Sequence, residues 1–221
     1  MKVLCSWSGG KESCLACYKA MQEGHELAAL LTMLTTTGNY SRSHRLSRDL
    51  LVAQSRAMGM TLRQRRASWN TYEREFLRAL ISLKEEGIEG GVFGDIFLDE
   101  HREWVERVCT KAGIVARLPL WGMKSRDLLH TFIDAGFEAI VVALRNDILD
   151  EHWLGKRIDG EFIQQMDGAG VDVCGENGEF HTAVVDGPLF RARINIGDSR
   201  IASRGTMSFL HVLNFSVKEK A

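Results

Sequence analysis

The chain has 221 residues, 45% of them apolar, with 28 basic against 29 acidic side chains and a net charge of −1. That is enough chain for one large domain or two modest ones, and the interleaved charge offers no basic stripe for nucleic acid. Five cysteines, an odd count without a secretory leader, argue against a disulfide framework, and no run nears the roughly 20 apolar residues of a membrane span. The expected compartment is the cytoplasm.

In chain order, residues 3–7 read as a short buried strand. A loop of different character follows, Ser-Trp-Ser-Gly-Gly-Lys-Glu-Ser at 6–13, and then a helical run from about Lys11 to Glu23. A second apolar strand is expected at 27–34. Leu46, Leu50, Leu51, Ala57 and Met58 then share one helical face, ahead of a weaker strand at 62–67. Tyr72, Phe76, Leu77, Leu80 and Ile81 make the next helical face. Strands at 91–96 and 114–118 flank a further helix built on Trp104, Val105, Val108 and Cys109. Asp99 reads as its cap, with Glu100 and Glu103 favouring the dipole. Gly24, Gly59, Gly87, Gly113 and Gly136 stand where helices should stop. Strand alternating with helix predicts an α/β fold, a parallel sheet with helices on both faces.

Beyond Gly136 the rhythm changes. A buried strand is expected at 139–144, then shorter, glycine-rich elements and loosely alternating antiparallel strands at 191–196 and 209–217. The expected division is therefore 1–136 and a smaller α+β domain at 137–221.

The loop at 6–13 is the most informative stretch. Backbone N–H groups at a helix N-terminus, with glycines allowing close approach, make an anion site. Ser8 and Ser13 add hydroxyl donors, and Lys11, expected to face solvent, adds a positive charge. In an open parallel sheet the ligand crevice lies at the carboxyl ends of the strands, where this loop must be. The plainer alternative is a glycine turn capped by serine. The spacing is neither the Walker loop nor G-x-G-x-x-G.

The loop resembles the pyrophosphate loop, S-G-G-x-D-S, of the ATP pyrophosphatase superfamily, with Glu12 where aspartate is usual. Four further stretches, 94–114, Pro-Leu-Trp-Gly at 119–122, 149–159 and 174–190, are similar to the diphthine–ammonia ligase family. The likeness runs over nearly the whole chain. It implies an adenine nucleotide alpha hydrolase-like domain at 1–136 that holds ATP, and a small α+β domain at 137–221 that closes over the substrate. It implies ATP and Mg²⁺ as cofactors, adenylation of a carboxylate with release of AMP and pyrophosphate, and ammonia as the amine. A translation elongation factor carrying diphthine is the implied partner; no nucleic acid or membrane is expected.

Matched residue by residue, the resemblance assigns ATP binding to Ser8, Gly9, Gly10, Lys11, Ser13 and Gly94, and Mg²⁺ to Glu12. It gives catalytic roles to Lys11, His44 and Glu179, and substrate contacts to Asp99, Arg102, Trp121 and Glu176. Read without it, His44 is a structural histidine, Asp99, Arg102 and Glu106 form a solvated helix face, Trp121 is core and 174–182 is a plain turn. The family's G-E-G-G-E-[FY]-E-T is broken by Asn177 for glycine and His181 for glutamate, and Asp95 stands where alanine is usual. These departures spare the ATP loop and fall where the acceptor is expected. Cys14 and Cys17 form C-x-x-C, but with no second pair for zinc they are expected, with Tyr18 and Met21, to be a buried helix face. Two alternatives stay open: a ligase acting on another carboxylate, and a module that senses ATP without turnover.

Overall fold

In the computed structural model, which describes residues 1–220, β1 (Lys2–Ser6) is the centre of the main sheet. Val3, Leu4 and Cys5 are wholly buried, as a strand covered on both faces requires. Around it stand β2 (Glu26–Leu34), β3 (Thr61–Arg66), β4 (Gly90–Val92) and β5 (Val115–Arg117), all parallel, in the order β3-β2-β1-β4-β5. The chain links them through α1 (Lys11–Gln22), α2 (Arg48–Met58), α3 (Tyr72–Glu85) and α4 (Asp99–Ala112). Strand order reverses at β1, so right-handed crossovers send α1 to one face and α3 and α4 to the other. Phe76 and Leu80 of α3 and Val105 and Val108 of α4 pack with Leu4 and Leu31 of the sheet. Each such burial contributes roughly 1.5–3 kcal/mol at most. Gly113, at φ 70°, ends α4 in the left-handed conformation that favours glycine.

The later chain is built differently. A four-stranded antiparallel sheet has the order β7-β6-β10-β9, from β6 (Glu138–Arg145), β7 (Phe180–Asp186), β9 (Ser199–Arg204) and β10 (Met207–Val212). A separate ribbon pairs β8 (Ala192–Ile196) with β11 (Phe215–Glu219). Two helices, α5 (Ser125–Asp134) and α6 (Gly160–Gly168), complete this part. The α/β fold with a smaller α+β portion is as the alternation predicted.

Contacts group the chain into two compact units. The first holds Met1–Ser8, Glu12–Ser43 and Met60–Met123; the second holds Gly9–Lys11, His44–Gly59 and the residues from Lys124 onward. A single cut between 136 and 137 does not reproduce this grouping, because α2, α5 and three loop residues go with the second unit. Gly9 shows why. Its carbonyl accepts from Gln54 Nε2 (2.9 Å) and Val184 N (3.0 Å), and Gln54 also donates to Val184 O (2.8 Å).

Several local expectations are corrected. The stretch 180–186, expected to lie in and just beyond a glycine-rich turn, forms β7, and β9 was not expected at all. The expected strand at 209–217 is two strands, broken at residues 213 and 214. Strands β4 and β5 are only three residues long each, shorter than the runs expected at 91–96 and 114–118. Asp99 is the first residue of α4 rather than its cap, a place taken by Leu98. Met21 and Ile81 are exposed, whereas Cys14 and Cys17 are fully buried core residues. Burial pushes both thiols well above their ordinary range, which makes them inert. Among the described residues no helix is long and apolar enough to cross a membrane.

Candidate functional site

In the first unit, the carboxyl end of β1 runs into Ser8, whose hydroxyl lies 3.1 Å from that of Ser13 in the first turn of α1. Gly94, after β4, presses on the same turn. A Cβ there would meet Glu12 C at 2.8 Å and Ser13 N at 2.9 Å, so only glycine fits. Asp95 follows, hydrogen-bonded to His101 Nδ1 (3.2 Å). Burial raises its carboxyl above the ordinary range, and the charge of nearby Glu12 adds to that rise, while His101 opposes it. Glu12 is thus near enough for its charge to act on Asp95. Asp99, Arg102 and Glu106 are exposed on α4. Arg102 Nε donates to Glu106 (2.8 Å), and its guanidinium lies 5.1 Å from the ring centroid of half-buried Trp121. Asp99, Arg102 and Trp121 therefore form one surface group, and Trp121 is not core.

The same unit carries a small open cleft at the carboxyl ends of β1 and β2. Ser6, Trp7 and Ser8 line one side, the β2 backbone around Thr32 another, and Arg42, Trp69 and Tyr72 the rest. Arg42 lies over Trp69, 4.3 Å from its centroid, and its buried Nε makes no hydrogen bond among the described residues. Burial first, and the charge of Asp95 second, push the Tyr72 phenol up to about 12. Ser8 was expected at a nucleotide site, Tyr72 only on a helical face, and Arg42 and Trp69 in neither role. The rule that ligands sit at strand carboxyl ends points to 32–34 and to whatever aromatic residues cover them.

In the second unit, Lys11 is buried rather than solvent-facing, at 2% exposure. Its Nζ donates to Cys174 O (2.6 Å) and lies 5.0 Å from the Phe180 ring centroid, while its backbone N–H donates to Thr182 Oγ1 (3.1 Å). Gly10 is crowded by His44 and by Thr182 O, with a Cβ meeting His44 Cε1 at 2.5 Å. His44 stacks on His181, ring centroids 4.4 Å apart. Burial first and the positive charge of Lys11 second lower the His44 imidazole to about 4, with the Thr182 backbone opposing them. His44 is therefore neutral at neutral pH.

Glu179, 7% exposed, accepts from Asn177 N (2.9 Å) and Asn177 Nδ2 (3.0 Å). Glu176 donates its backbone N–H to Asp172 Oδ2 (3.0 Å). Lys11, His44 and Glu179 thus belong to one unit, with Asn177 and His181, the two departures, each touching one of them. Gln54 was missed as the residue that anchors Gly9. Its signal was a polar side chain among the apolar positions of α2, one turn from Leu50 and Leu51.

A parallel 3-2-1-4-5 sheet with a glycine–lysine loop leading from its central strand into a helix defines an adenine nucleotide alpha hydrolase-like protein. Residues 1–116 match the diphthamide synthase N-terminal domain family, and residues 124–217 match the diphthamide synthase C-terminal domain. The diphthine–ammonia ligase of Homo sapiens is 28% identical over 96% of this chain and 89% of its own. That of Rattus norvegicus is 31% identical with the same coverage. Among solved structures, a chain described as a predicted subunit of tRNA methyltransferase from Methanocaldococcus jannaschii matches with a TM-score of 0.46 at 18% identity, over 84% of this chain and 96% of that one. The chain belongs to the diphthine–ammonia ligase family, and with it to the ATP-dependent carbon–nitrogen ligases.

Proposed function

We propose that this protein adenylates a carboxylate at the expense of ATP and converts it to an amide with ammonia, the acceptor being diphthine on a translation elongation factor. The observation that carries the reading is the position of residues 8–13, at the end of the central strand and the start of α1. The acceptor carboxylate oxygen attacks the α-phosphorus, and the bond from that phosphorus to pyrophosphate breaks. Pyrophosphate leaves into the N–H groups of the loop, where Lys11 offsets its charge. Ammonia then attacks the acyl carbon, AMP departs, and Glu179 takes the surplus proton. Neutral His44 beside Lys11 is suited to contact the acceptor. Asp99, Arg102, Trp121 and Glu176 are the proposed substrate contacts, and the pocket under Trp69 and Tyr72 the proposed seat of the adenine base.

The donor set suits Mg²⁺: Glu12 and Asp95 supply only carboxylate oxygens, and this ion is commonly held by one or two carboxylates plus substrate phosphates. Bound there, it would neutralise charge on the phosphates. Functionally, we assign 1–136 to ATP and 137–221 to the acceptor.

The test is incubation with ATP, Mg²⁺, ammonia and diphthine-bearing elongation factor, followed by chromatography of the nucleotides. AMP and pyrophosphate are expected with amide formation. ADP as the main product refutes the mechanism. A second reading, a ligase for a different carboxylate, draws on His181 and Asn177, which engage the catalytic candidates where the family has other residues. Adenylation of other carboxylates with no action on the factor would favour it. ATP binding without any turnover would favour a sensing module.

A further inference from the structure

One face of the four-stranded sheet carries α6 and Glu151. On that face Ser208 is buried and donates to Glu151 (2.7 Å), and the Phe180 ring meets Phe162 of α6 edge-on. The alternate residues of β10, which are Met207, Phe209 and His211, point to the opposite face. There the antiparallel register sets His181, Ala143, Phe209 and Ala202 side by side across all four strands. Arg145 and Arg204 flank Met207 in the next row, and Arg200 pairs with His211 in the row beyond. Arg45 adds a guanidinium 5.2 Å from the Phe209 ring centroid.

No position in these rows is acidic. Arg145 is matched by Asp147 (2.7 Å). Arg200 and Arg204 are exposed on the edge strand β9, and among the described residues neither pairs with a carboxylate. Their field is felt locally: after burial, Arg200 and Arg45 are what hold the His211 imidazole below its ordinary range.

We propose that this face docks an acidic segment of the protein that presents the acceptor carboxylate, with Arg200 and Arg204 as the residues that capture it. The inference rests on the ligase reading above. Carboxylates are the anions that arginine forks bind in pairs of parallel hydrogen bonds. Half-buried Phe209 and Met207 among the arginines give the mixed aromatic, methionine and arginine composition of a protein interface. A polynucleotide site would instead call for a broad cationic excess, and the chain carries a net charge of −1. The geometry also connects to the chemistry. From β9 to β7 is three strand spacings, roughly 14 Å, which an extended segment covers in about five residues. A segment anchored on Arg200 and Arg204 therefore reaches β7, where His44 is stacked on His181, two residues from Glu179.

The experiment compares the parent with the double variant Arg200→Glu, Arg204→Glu, using the diphthine-bearing elongation factor as acceptor. Circular dichroism and the thermal midpoint check the fold, which exposed edge positions should leave intact. The KM for the protein acceptor is expected to rise by about tenfold or more, with kcat and ATP affinity unchanged. Arg200→Lys, Arg204→Lys should keep most of the affinity, and added salt should raise the parent's KM far more than the variant's. Should charge reversal unfold the edge strand, Arg200→Gln, Arg204→Gln carries the same test. An unchanged KM, with the parent turning over, overturns the docking face alone. A parent that binds ATP yet never amidates the factor overturns the ligase reading and this proposal with it. If bulk tRNA binds the parent but not the double variant while the acceptor KM is unmoved, the face serves RNA and the proposal is wrong.

Discussion

The imidazole of His44 lies stacked on that of His181, with ring centroids 4.4 Å apart and planes within 22°. Lys11 stands close enough for its charge to oppose protonation of His44, and burial opposes it more. The folded protein therefore binds this proton only near pH 4, against about 6.5 for a free imidazole. Because the unfolded chain binds the proton more tightly, the native state has its full stability above about pH 6.5. It loses stability as pH falls toward 4. Thermal midpoints of the parent and of His44→Gln, measured from pH 7 down to 4, should diverge in that window, with the parent falling faster. A difference that stays constant with pH would contradict the burial of this imidazole.

Lys11 has one structural contact and one proposed task at the nucleotide, and its substitutions should separate them. Lys11→Met keeps the buried stem but leaves the Cys174 carbonyl without its 2.6 Å donor, a loss of about 1–3 kcal/mol. It also removes the charge proposed to meet the leaving pyrophosphate, so ATP affinity should fall by well over tenfold. Calorimetry and a denaturant titration on one sample read both effects. Lost stability with unchanged ATP affinity would leave Lys11 a purely structural residue.

Gly94→Ala tests the loop without touching any charge. The new methyl would sit 2.8 Å from Glu12 C and 2.9 Å from Ser13 N, both backbone atoms of the first turn of α1. Backbone cannot swing aside as a side chain can, so that turn must shift, at about 1–3 kcal/mol. The KM for ATP should rise several-fold while the protein still folds. Wild-type kinetics in this variant would show that the turn does not meet the nucleotide.

Asn177 and Glu179 make the last test. Glu179→Gln should leave ATP binding near normal and slow amide formation by about 10²- to 10⁴-fold. Asn177→Gly removes the 3.0 Å bond from Nδ2 but keeps the backbone donor. Its rate should drop by roughly tenfold, the scale of one bond to a charged group. Asn177→Asp should do worse, since it sets a second negative charge against Glu179. Saturation curves in ammonia, with calorimetry for ATP, distinguish these effects; loss of ATP binding in Glu179→Gln would move this carboxylate to the nucleotide site.

Local pattern carried the parallel half of the fold. Each of β1 to β5 is a short apolar or β-rich run between amphipathic helices, and such runs declare themselves over a few residues. The loop at 8–13 was legible for the same reason: its glycines, lysine and serines are contiguous, and a strand before and a helix after suffice to aim them. What residues far apart in sequence do to one another was not legible. Lys11 reads as a solvent-facing helix start until Cys174 and Thr182, more than 160 positions away, fold onto it. Asn177 reads as a turn residue until its amide meets Glu179, and β7 hid inside a glycine-rich block because its pairing with β6 is non-local. The basic sheet face exists only through register, since Arg45, Arg145, Arg200 and Arg204 are scattered along the chain. Burial and strand register are properties of the closed chain, and they decided which side chains became neutral, which stayed charged and which could meet.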